Sequence, residues 1–508
     1  MFFFYYLHNG TKQTITLLLN SCRSHSLLFF KMANKIEASK IFDAIGHLGK
    51  GQLFYVLPLY LANNVFFASL VLTPTFTCYF PDKNGTNTTD LSSIAEFESF
   101  ATEFYPDNAD FYTETDQVWM MKTYGSLFSM MFTGFLLDKF GRRKMIICCQ
   151  LISIFFVIAT LFNDDWQVYA WLEFARNFTG TGIFLGTLSY IFEMVGPGKW
   201  IYVMIITSGT WFVSYVFMVM TAQITGNWRY FTLVILGGNL PALYLNITGF
   251  ESARWLVTQN RLEEATKIFK KIGRANGEKV DDLEVIQDFV EKTEKTQTKD
   301  QWFHLFTNLQ VLFRVALLSI CFFTQNFLYF GAMLQINKMS TENGSLYRTQ
   351  YISAFTEFPQ MVVPLIIVKL FGYRKSLIIS AVVELIFLVP ILLPTINLTE
   401  EPSDWIVLWI FAGMKAMASI FWAIADPVQN QLIPTSIRSF ANGFVKLWTQ
   451  VSPIFATMML KYIRNSEGSE AELIGWMFTF VTGMTLTAVF LLPKVDEKES
   501  PDQLDQIG

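Results

Sequence analysis

Apolar residues in this chain run in long stretches, not in the short alternation of a half-buried strand. Windows near the roughly 20 residues that cross about 30 Å of hydrocarbon fall at 52–76, 118–137, 145–163, 167–194, 200–223 and 228–249, then at 309–335, 348–370, 375–395, 404–426, 438–462 and 472–493. The pattern predicts twelve membrane-spanning helices in two sets of six. Hydrophilic stretches at 77–117 and 250–308 interrupt it. The predicted organisation is a leader (1–51), a first six-helix bundle (52–249), a linker (250–308), a second bundle (309–493) and a tail (494–508). Residues 1–31 lack an apolar core followed by a small-residue cleavage site. Met32 opens a hydrophilic leader, so the expectation is that Met32 is the start or that 1–31 are disordered.

Composition agrees with this reading. Of 508 residues, 52% are hydrophobic and 16% charged, and the mean hydropathy is +0.35, whereas soluble domains carry about 25% charged residues. A soluble enzyme is excluded. A net charge of −4 without a basic face gives no reason to expect a nucleic-acid partner. Four His and five Cys are scattered with no CxxC or HExxH, so no metal, cofactor or catalytic site is predicted. Prolines inside the spans, among them Pro359 and Pro364, predict kinks.

Basic residues set the orientation. Stretch 77–117 holds one of them, Lys83, against nine Asp and Glu. The connection between the second and third spans holds Lys139, Arg142, Arg143 and Lys144, and the linker adds Arg254, Arg261, Lys267, Lys270, Lys271 and Arg274. By the positive-inside rule, the even-numbered connections and both termini are predicted to be cytoplasmic. Sequons at Asn84, Asn87, Asn343 and Asn397 then fall on the outer face, where glycosylation is chemically allowed. Those at Asn177 and Asn246 lie within spans and read as chance matches. In the linker, Leu262, Ala265, Ile268, Phe269 and Ile272 recur at helical spacing, which predicts an amphipathic helix resting on the cytoplasmic ends of the bundle.

The most specific motif is Gly134-Phe-Leu-Leu-Asp138-Lys139-Phe-Gly141-Arg142-Arg143-Lys144, at the cytoplasmic end of the second span. Gly141 permits a tight turn, the basic cluster anchors it at the inner surface, and Asp138 stands where a carboxylate meets a helix N-terminus or an arginine. At this place the motif resembles the signature of the major facilitator superfamily. A degraded copy lies 231 residues on, Lys369-Leu-Phe-Gly372-Tyr-Arg374-Lys375, as two related six-helix halves would produce. Lys369 stands where Asp138 stood, so the halves are not expected to be mechanically equivalent.

Further matches resemble the organic cation and organic anion transporter family: Glu251-Ser-Ala-Arg254-Trp-Leu after the sixth span, Asn227-Trp-Arg229 before it, Tyr329-Phe-Gly331, Glu357-Phe-Pro359, and Gln431-Leu-Ile-Pro434-Thr-Ser-Ile-Arg438 before the eleventh. The resemblance covers roughly residues 41–492. Phe250, Asn227 and Gln431 depart from the family's Pro, Asp and Glu, and the first loop lacks its cysteines. The resemblance implies an all-α major facilitator fold of twelve transmembrane helices in two pseudo-symmetric bundles. It also implies plasma-membrane transport of small organic ions by alternating access, without cofactors.

Ionisable residues inside spans are functional candidates by default: Lys122, Arg176, Glu193, Glu357, Glu384, Lys415, Asp426 and Lys446. Lys122 and Glu193 lie near span ends and are expected to snorkel. Lys415 and Arg176 match basic positions of the family, whereas Glu384 matches none. Gln450 occupies the position where the family's cation transporters carry Asp and its anion transporters Arg. Lys446, one turn earlier, faces the cavity, pairs with Asp426 or reaches the cytoplasmic interface eight residues past Arg438. The expected substrate contacts are therefore Tyr329, Glu357, Lys415, Asp426, Lys446 and Gln450. The expected gate is Gly134, Asp138, Lys139, Gly141, Arg142, Arg143, Arg176, Glu251, Arg254 and Arg438, with Asp138 facing the N-terminus of the eleventh span near Phe440. Two alternatives stay open: a sugar-porter-like carrier of an uncharged solute, which the neutral Gln450, Gln325 and Asn326 permit, and a non-transporting receptor or scaffold.

Overall fold

The structure, a computed structural model, describes residues 42, 45–79, 96–104, 111–196, 199–259, 261–278, 308–342, 346–392, 403–433, 438–464 and 470–493. The sequons at Asn84, Asn87, Asn343 and Asn397 lie outside these residues. The described chain is helical throughout its named elements. The first half contains α1 (Lys50–Tyr55), α2 (Leu57–Thr77), α3 (Phe100–Phe104), α4 (Phe111–Phe140), α5 (Arg142–Leu161), α6 (Trp166–Met194), α7 (Trp200–Thr225) and α8 (Trp228–Thr248). The linker contributes α9 (Ala253–Thr258) and α10 (Leu262–Asn276). The second half contains α11 (Leu309–Glu342), α12 (Leu346–Phe355), α13 (Pro359–Phe371), α14 (Tyr373–Leu392), α15 (Ser403–Leu432), α16 (Arg438–Arg464) and α17 (Glu470–Leu491).

Local chemistry explains where these helices begin and end. Gly226, at φ +62°, closes α7 in the left-handed conformation that glycine adopts without strain. Asn227 then caps α8, its side-chain oxygen accepting from Arg229 N at 2.7 Å, so Asn performs the capping that an Asp would perform there. The expected eighth span, 348–370, is not continuous. It breaks at 356–358, where Pro359 has no N–H to donate and starts α13 afresh. Among the described residues, eight helices are long and apolar enough to cross a membrane by length and composition. The long helices α4, α6, α14 and α16 fall outside that set; α6 carries Glu173, Arg176 and Glu193, and α16 carries Lys446.

Two ends of the bundle can be told apart by charge: a basic end at the Gly141 turn, and an acidic-loop end where α2 and α7 finish. At the basic end α9 and α10 pack beneath the first half, burying Trp255, Leu256, Ala265, Phe269 and Ile272 against Phe42, Ile45 and Tyr60. Asn276, the last residue of α10, ties this layer to the leader. Its Oδ1 accepts from Gly51 N at 2.6 Å, and its amide nitrogen donates to Ile45 O and to Gln52 Oε1.

Inside the first half a ladder of buried amides joins α2, α5 and α8. Asn246 Nδ2 donates to Asn63 Oδ1 (2.8 Å) and Gln150 Oε1 (2.7 Å), Asn63 Nδ2 returns a bond to Asn246 Oδ1 (3.1 Å), and Gln150 Nε2 donates to Asn239 Oδ1 (2.5 Å). With no water to compete, such bonds fix which helix faces meet. Asn246→Leu strands the amides of Asn63 and Gln150, each at a cost of about 1–3 kcal/mol. The expected result is a lower melting midpoint of the purified protein in detergent, read by tryptophan fluorescence; an unchanged midpoint would show the ladder to be dispensable.

Candidate functional site

The break at Pro359 builds a polar centre. In a continuous helix the N–H of Glu357 would bond the carbonyl of Ser353; here it bonds Ala354 O at 3.0 Å instead. The freed Ser353 carbonyl accepts from Lys415 Nζ (2.9 Å) and Thr356 Oγ1 (2.7 Å). Glu357 itself, held in the break, turns its carboxylate to Lys415 Nζ at 2.7 Å, with both side chains buried. Tyr329 of α11 donates to Glu357 Oε1 at 2.8 Å, while Ser419 Oγ (2.9 Å) and Gln360 Nε2 (3.0 Å) donate to Oε2. The Lys415 ammonium lies over the rings of Tyr215 (4.7 Å) and Tyr329 (5.2 Å), and Trp422 stacks on Tyr329. Three of the predicted substrate contacts, Tyr329, Glu357 and Lys415, thus meet at one point.

That point lies against the seam between the halves. Tyr215 of α7 donates to Gln350 Oε1 at 3.0 Å and shares a 3.0 Å bond with Ser353 Oγ, both on α12. Toward the acidic-loop end the seam continues through Tyr351 OH to Gln223 Oε1 (2.8 Å) and Tyr347 OH to Glu96 O (2.9 Å). Toward the basic end, Phe212 packs on Phe355 and Phe358, and Gly209 lies close to Met361. A cavity of about 20 Å³, room for a single water, follows between Ser208, Gln360, Pro364, Ala423 and Pro427. At the other end an open groove of about 630 Å³ is lined by Glu96, Gln223, Tyr347, Arg348, Tyr351 and Trp409.

The remaining predicted contacts stand apart. Lys446 pairs with Asp426, its ammonium 4.1 Å from the Phe322 ring, and Gln450 lies half-buried one turn further along α16. Glu384 is buried and accepts from Gln325 Nε2 at 2.9 Å, and Asn326 donates to Thr449 O, so both amides serve helix packing within the second half.

At the basic end, the signature turn folds onto the linker. Gly141, at φ +98°, has no room for a side chain: a Cβ there would stand 2.6 Å from Glu251 Oε2. Glu251 Oε1 accepts from Arg143 N (2.9 Å) and Ser252 N (3.0 Å), and Arg143 reaches the α8 carbonyls of Asn246 and Ile247. Arg142 bridges Asp138 (2.9 Å) and Glu193 (2.8 Å), while Trp255 Nε1 donates to the Asp138 carbonyl at 2.8 Å. Lys139 lies over the Phe135 and Phe140 rings, Arg254 over Phe42, and a Cβ on Gly134 would meet nothing within 4 Å. Asp138 departs from expectation. Its side chain is 71% exposed and pairs with Arg142, four residues on, one turn of helix away; it is not buried against α16, whose first residue, Arg438, has its side chain outside the described residues.

Three other expectations need correction. Arg176 is not in this cluster: it lies 17 residues before Glu193 on the same helix, about 25 Å away at 1.5 Å per residue. It pairs with Glu173, fully buried, and reaches Thr73 Oγ1 at 3.4 Å. Lys122 does not snorkel; it is buried, donates to the Val71 carbonyl and lies 4.1 Å from the Trp119 ring. Glu193, its side chain 19% exposed, is held by Arg142 and Ser252 and does not extend freely into solvent. Glu173 was missed because a carboxylate seven residues into a span reads as an end residue, although its spacing of three from Arg176 signals a helical pair. Tyr215, Ser353 and Ser419 carry no charge; only the fold brings Tyr215 and Ser353 to Lys415, and Ser419, one turn from Lys415 on the same helix, to Glu357.

Residues 84–495 match the sugar (and other) transporter family. Among curated relatives, solute carrier family 22 member 13 of Homo sapiens is 24% identical over 392 residues, 75% of this chain and 67% of that protein. Solute carrier family 22 member 6 of Pseudopleuronectes americanus is 24% identical over 345 residues, 66% of this chain and 59% of that protein. The match therefore spans about three fifths to two thirds of those relatives' lengths. In fold, the chain is similar to the xylose transporter XylE of E. coli in its inward-open conformation, with a TM-score of 0.64 at 13% identity, covering 89% of this chain and 99% of that one. It is also similar to the proton:xylose symporter XylE bound to 6-bromo-6-deoxy-D-glucose, with a TM-score of 0.65 at 15% identity, covering 91% and 100%. A family match over most of the chain and a shared architecture converge: this chain belongs to the sugar (and other) transporter family and is a multi-pass membrane carrier of the major facilitator fold.

Proposed function

We propose that this carrier moves small organic ions across the plasma membrane by alternating access, with both termini cytoplasmic. The observation that carries the reading is the Glu357–Lys415 pair. It consists of two opposite charges, buried together at a helix break beside the seam of the two halves. Broken helices with charged groups near the bilayer midplane are where carriers of this kind hold ions. Tyr329, Tyr215 and Trp422 add ring faces for an organic body. The solute carrier family 22 relatives support the same branch.

On this reading the basic end faces the cytoplasm, and contacts from Tyr215 to Gln223 along α7 close the outer side. Asp138, exposed here, is the group that would dock at the start of α16 when the inner side closes, and Arg142, Arg143, Glu251 and Arg254 hold the turn that presents it. Lys446, paired with Asp426, and Gln450 one turn along α16 are the further substrate contacts of this reading. A second reading, an uncharged solute, draws on the fact that Glu357 and Lys415 cancel in net charge. The packing roles of Gln325 and Asn326 leave that reading with fewer free hydrogen-bonding groups.

Uptake by cells expressing the protein, measured for labelled organic cations, anions, zwitterions and a hexose, tests the reading. Selective uptake of one charged class is expected; hexose uptake alone, or none despite surface expression, overturns it. Glu357→Gln leaves the Lys415 charge uncancelled and should raise the anion-to-cation uptake ratio by about tenfold, a shift of roughly 1.4 kcal/mol. Lys415→Met should move the ratio the other way. Asp138→Asn should lower uptake together with the fraction of carrier that an impermeant reagent reaches from outside, because the inner side then closes less readily. Unchanged accessibility in that variant removes the gate role.

A further inference from the structure

We propose that Tyr215 couples occupancy of the Lys415 site to opening of the seam between the halves, through a one-way relay of hydrogen bonds. Proton counting fixes its direction. A lysine ammonium only donates, so Ser353 Oγ accepts from Lys415 Nζ at 3.1 Å. Tyr215 has one hydroxyl proton and gives it to Gln350 Oε1 at 3.0 Å. The 3.0 Å bond between Ser353 Oγ and Tyr215 OH must therefore be donated by Ser353. Gln350 passes the chain on, its Nε2 donating to Asn337 Oδ1 at 2.9 Å. The relay runs Lys415, Ser353, Tyr215, Gln350, Asn337, and every member except Tyr215 belongs to the second half. A cation at its head polarises each following bond.

This inference rests on the alternating-access reading and deepens it. A substrate anion that takes the Lys415 ammonium withdraws the relay's head and weakens the hold of Ser353 on Tyr215. A substrate cation at Glu357 leaves Lys415 to Ser353 and keeps the seam shut. Two further polar links across the seam, Tyr351–Gln223 and Tyr347–Glu96, are exposed, where water competes for the same partners. Tyr215, Ser353 and Gln350 are fully buried, so water does not compete for the bonds they share across the seam.

The test needs no transport substrate, so its failure is separate from failure of the uptake panel. Val219, one turn beyond Tyr215 on α7 and buried, is changed to cysteine in the full-length protein. Its reaction with an impermeant cationic methanethiosulfonate added outside cells is timed against the same protein without that cysteine. Tyr215→Phe keeps the ring and removes the hydroxyl; it should speed the reaction about thirtyfold, the shift expected from losing both of its hydrogen bonds across the seam. Ser353→Ala, which removes one of those two bonds, should speed it about fivefold, and the two changes together should add little to Tyr215→Phe, as members of one network. The paired neutral exchange Glu357→Gln with Lys415→Met removes the head without leaving a buried charge alone, and should speed the reaction toward the Ser353→Ala rate. Wild-type rates in Tyr215→Phe and Ser353→Ala overturn the latch; a wild-type rate in the paired exchange overturns its link to the site. Surface labelling of each variant separates misfolding from either result.

Discussion

A lysine ammonium held away from water in the middle of a membrane protein must find its hydrogen bonds there, and much of the second half is arranged around that demand. An ion this size loses several kcal/mol of solvation on burial, and an opposite charge repays it only if the remaining valences are also filled. Lys415 meets both conditions through Glu357 and Ser353. The break before Pro359 is what makes this available. It frees a backbone carbonyl that a regular helix would have used, and it swings a carboxylate into the space beside it. Tyr329, Ser419 and Gln360 then fill the carboxylate's remaining lone pairs.

The first half solves its polar burial differently. Its buried pair, Glu173 with Arg176, and its amides, Asn63, Asn246, Gln150 and Asn239, bond largely among themselves, and Lys122 turns to the Val71 carbonyl. The signature turn adds a clamp at the basic end, where Gly141 and Glu251 fit together without space for a Cβ. In the degraded copy Gly372 keeps a positive φ of 76°, but a Cβ there would meet nothing, Lys369 is exposed and Arg374 bonds the Phe490 carbonyl. The turn geometry is shared by the two halves, whereas the acidic clamp belongs to the first alone. One half behaves as a braced body, and the other carries the interrupted helix.

Legibility in the sequence followed the physics of each signal. Uninterrupted apolar runs reveal spans because hydrocarbon thickness sets one length for all of them, and α6, from Trp166 to Met194, lies within a residue of its predicted bounds despite three charges. Motifs that are contiguous in the chain, such as Asp138 to Arg143, revealed a turn but not the partners that reach it from 50 to 110 residues away, Glu193 and Glu251. Glu357 and Lys415 stood out because charge inside a span is expensive. Tyr215, Ser353 and Ser419 did not, because a hydroxyl is cheap enough to occur anywhere and only the crossing of α7, α12 and α15 gives it meaning. Lys122 and Glu193 misled for the same reason: proximity to a span's end in sequence does not show which way a side chain turns.

The bond from Gly51 to Asn276 joins residues 225 apart in the chain, and this has a consequence for synthesis. At 5–20 residues per second the ribosome takes roughly 10–45 s to travel that distance. Throughout that interval the leader around Gly51 has emerged while the residue that fixes it does not yet exist. Six spans must enter the membrane before α10 arrives to cover Phe42, Ile45 and Tyr60. The base of the first half is therefore finished last, by the linker, and a nascent chain interrupted before residue 276 would present that apolar floor to whatever binds unfinished proteins.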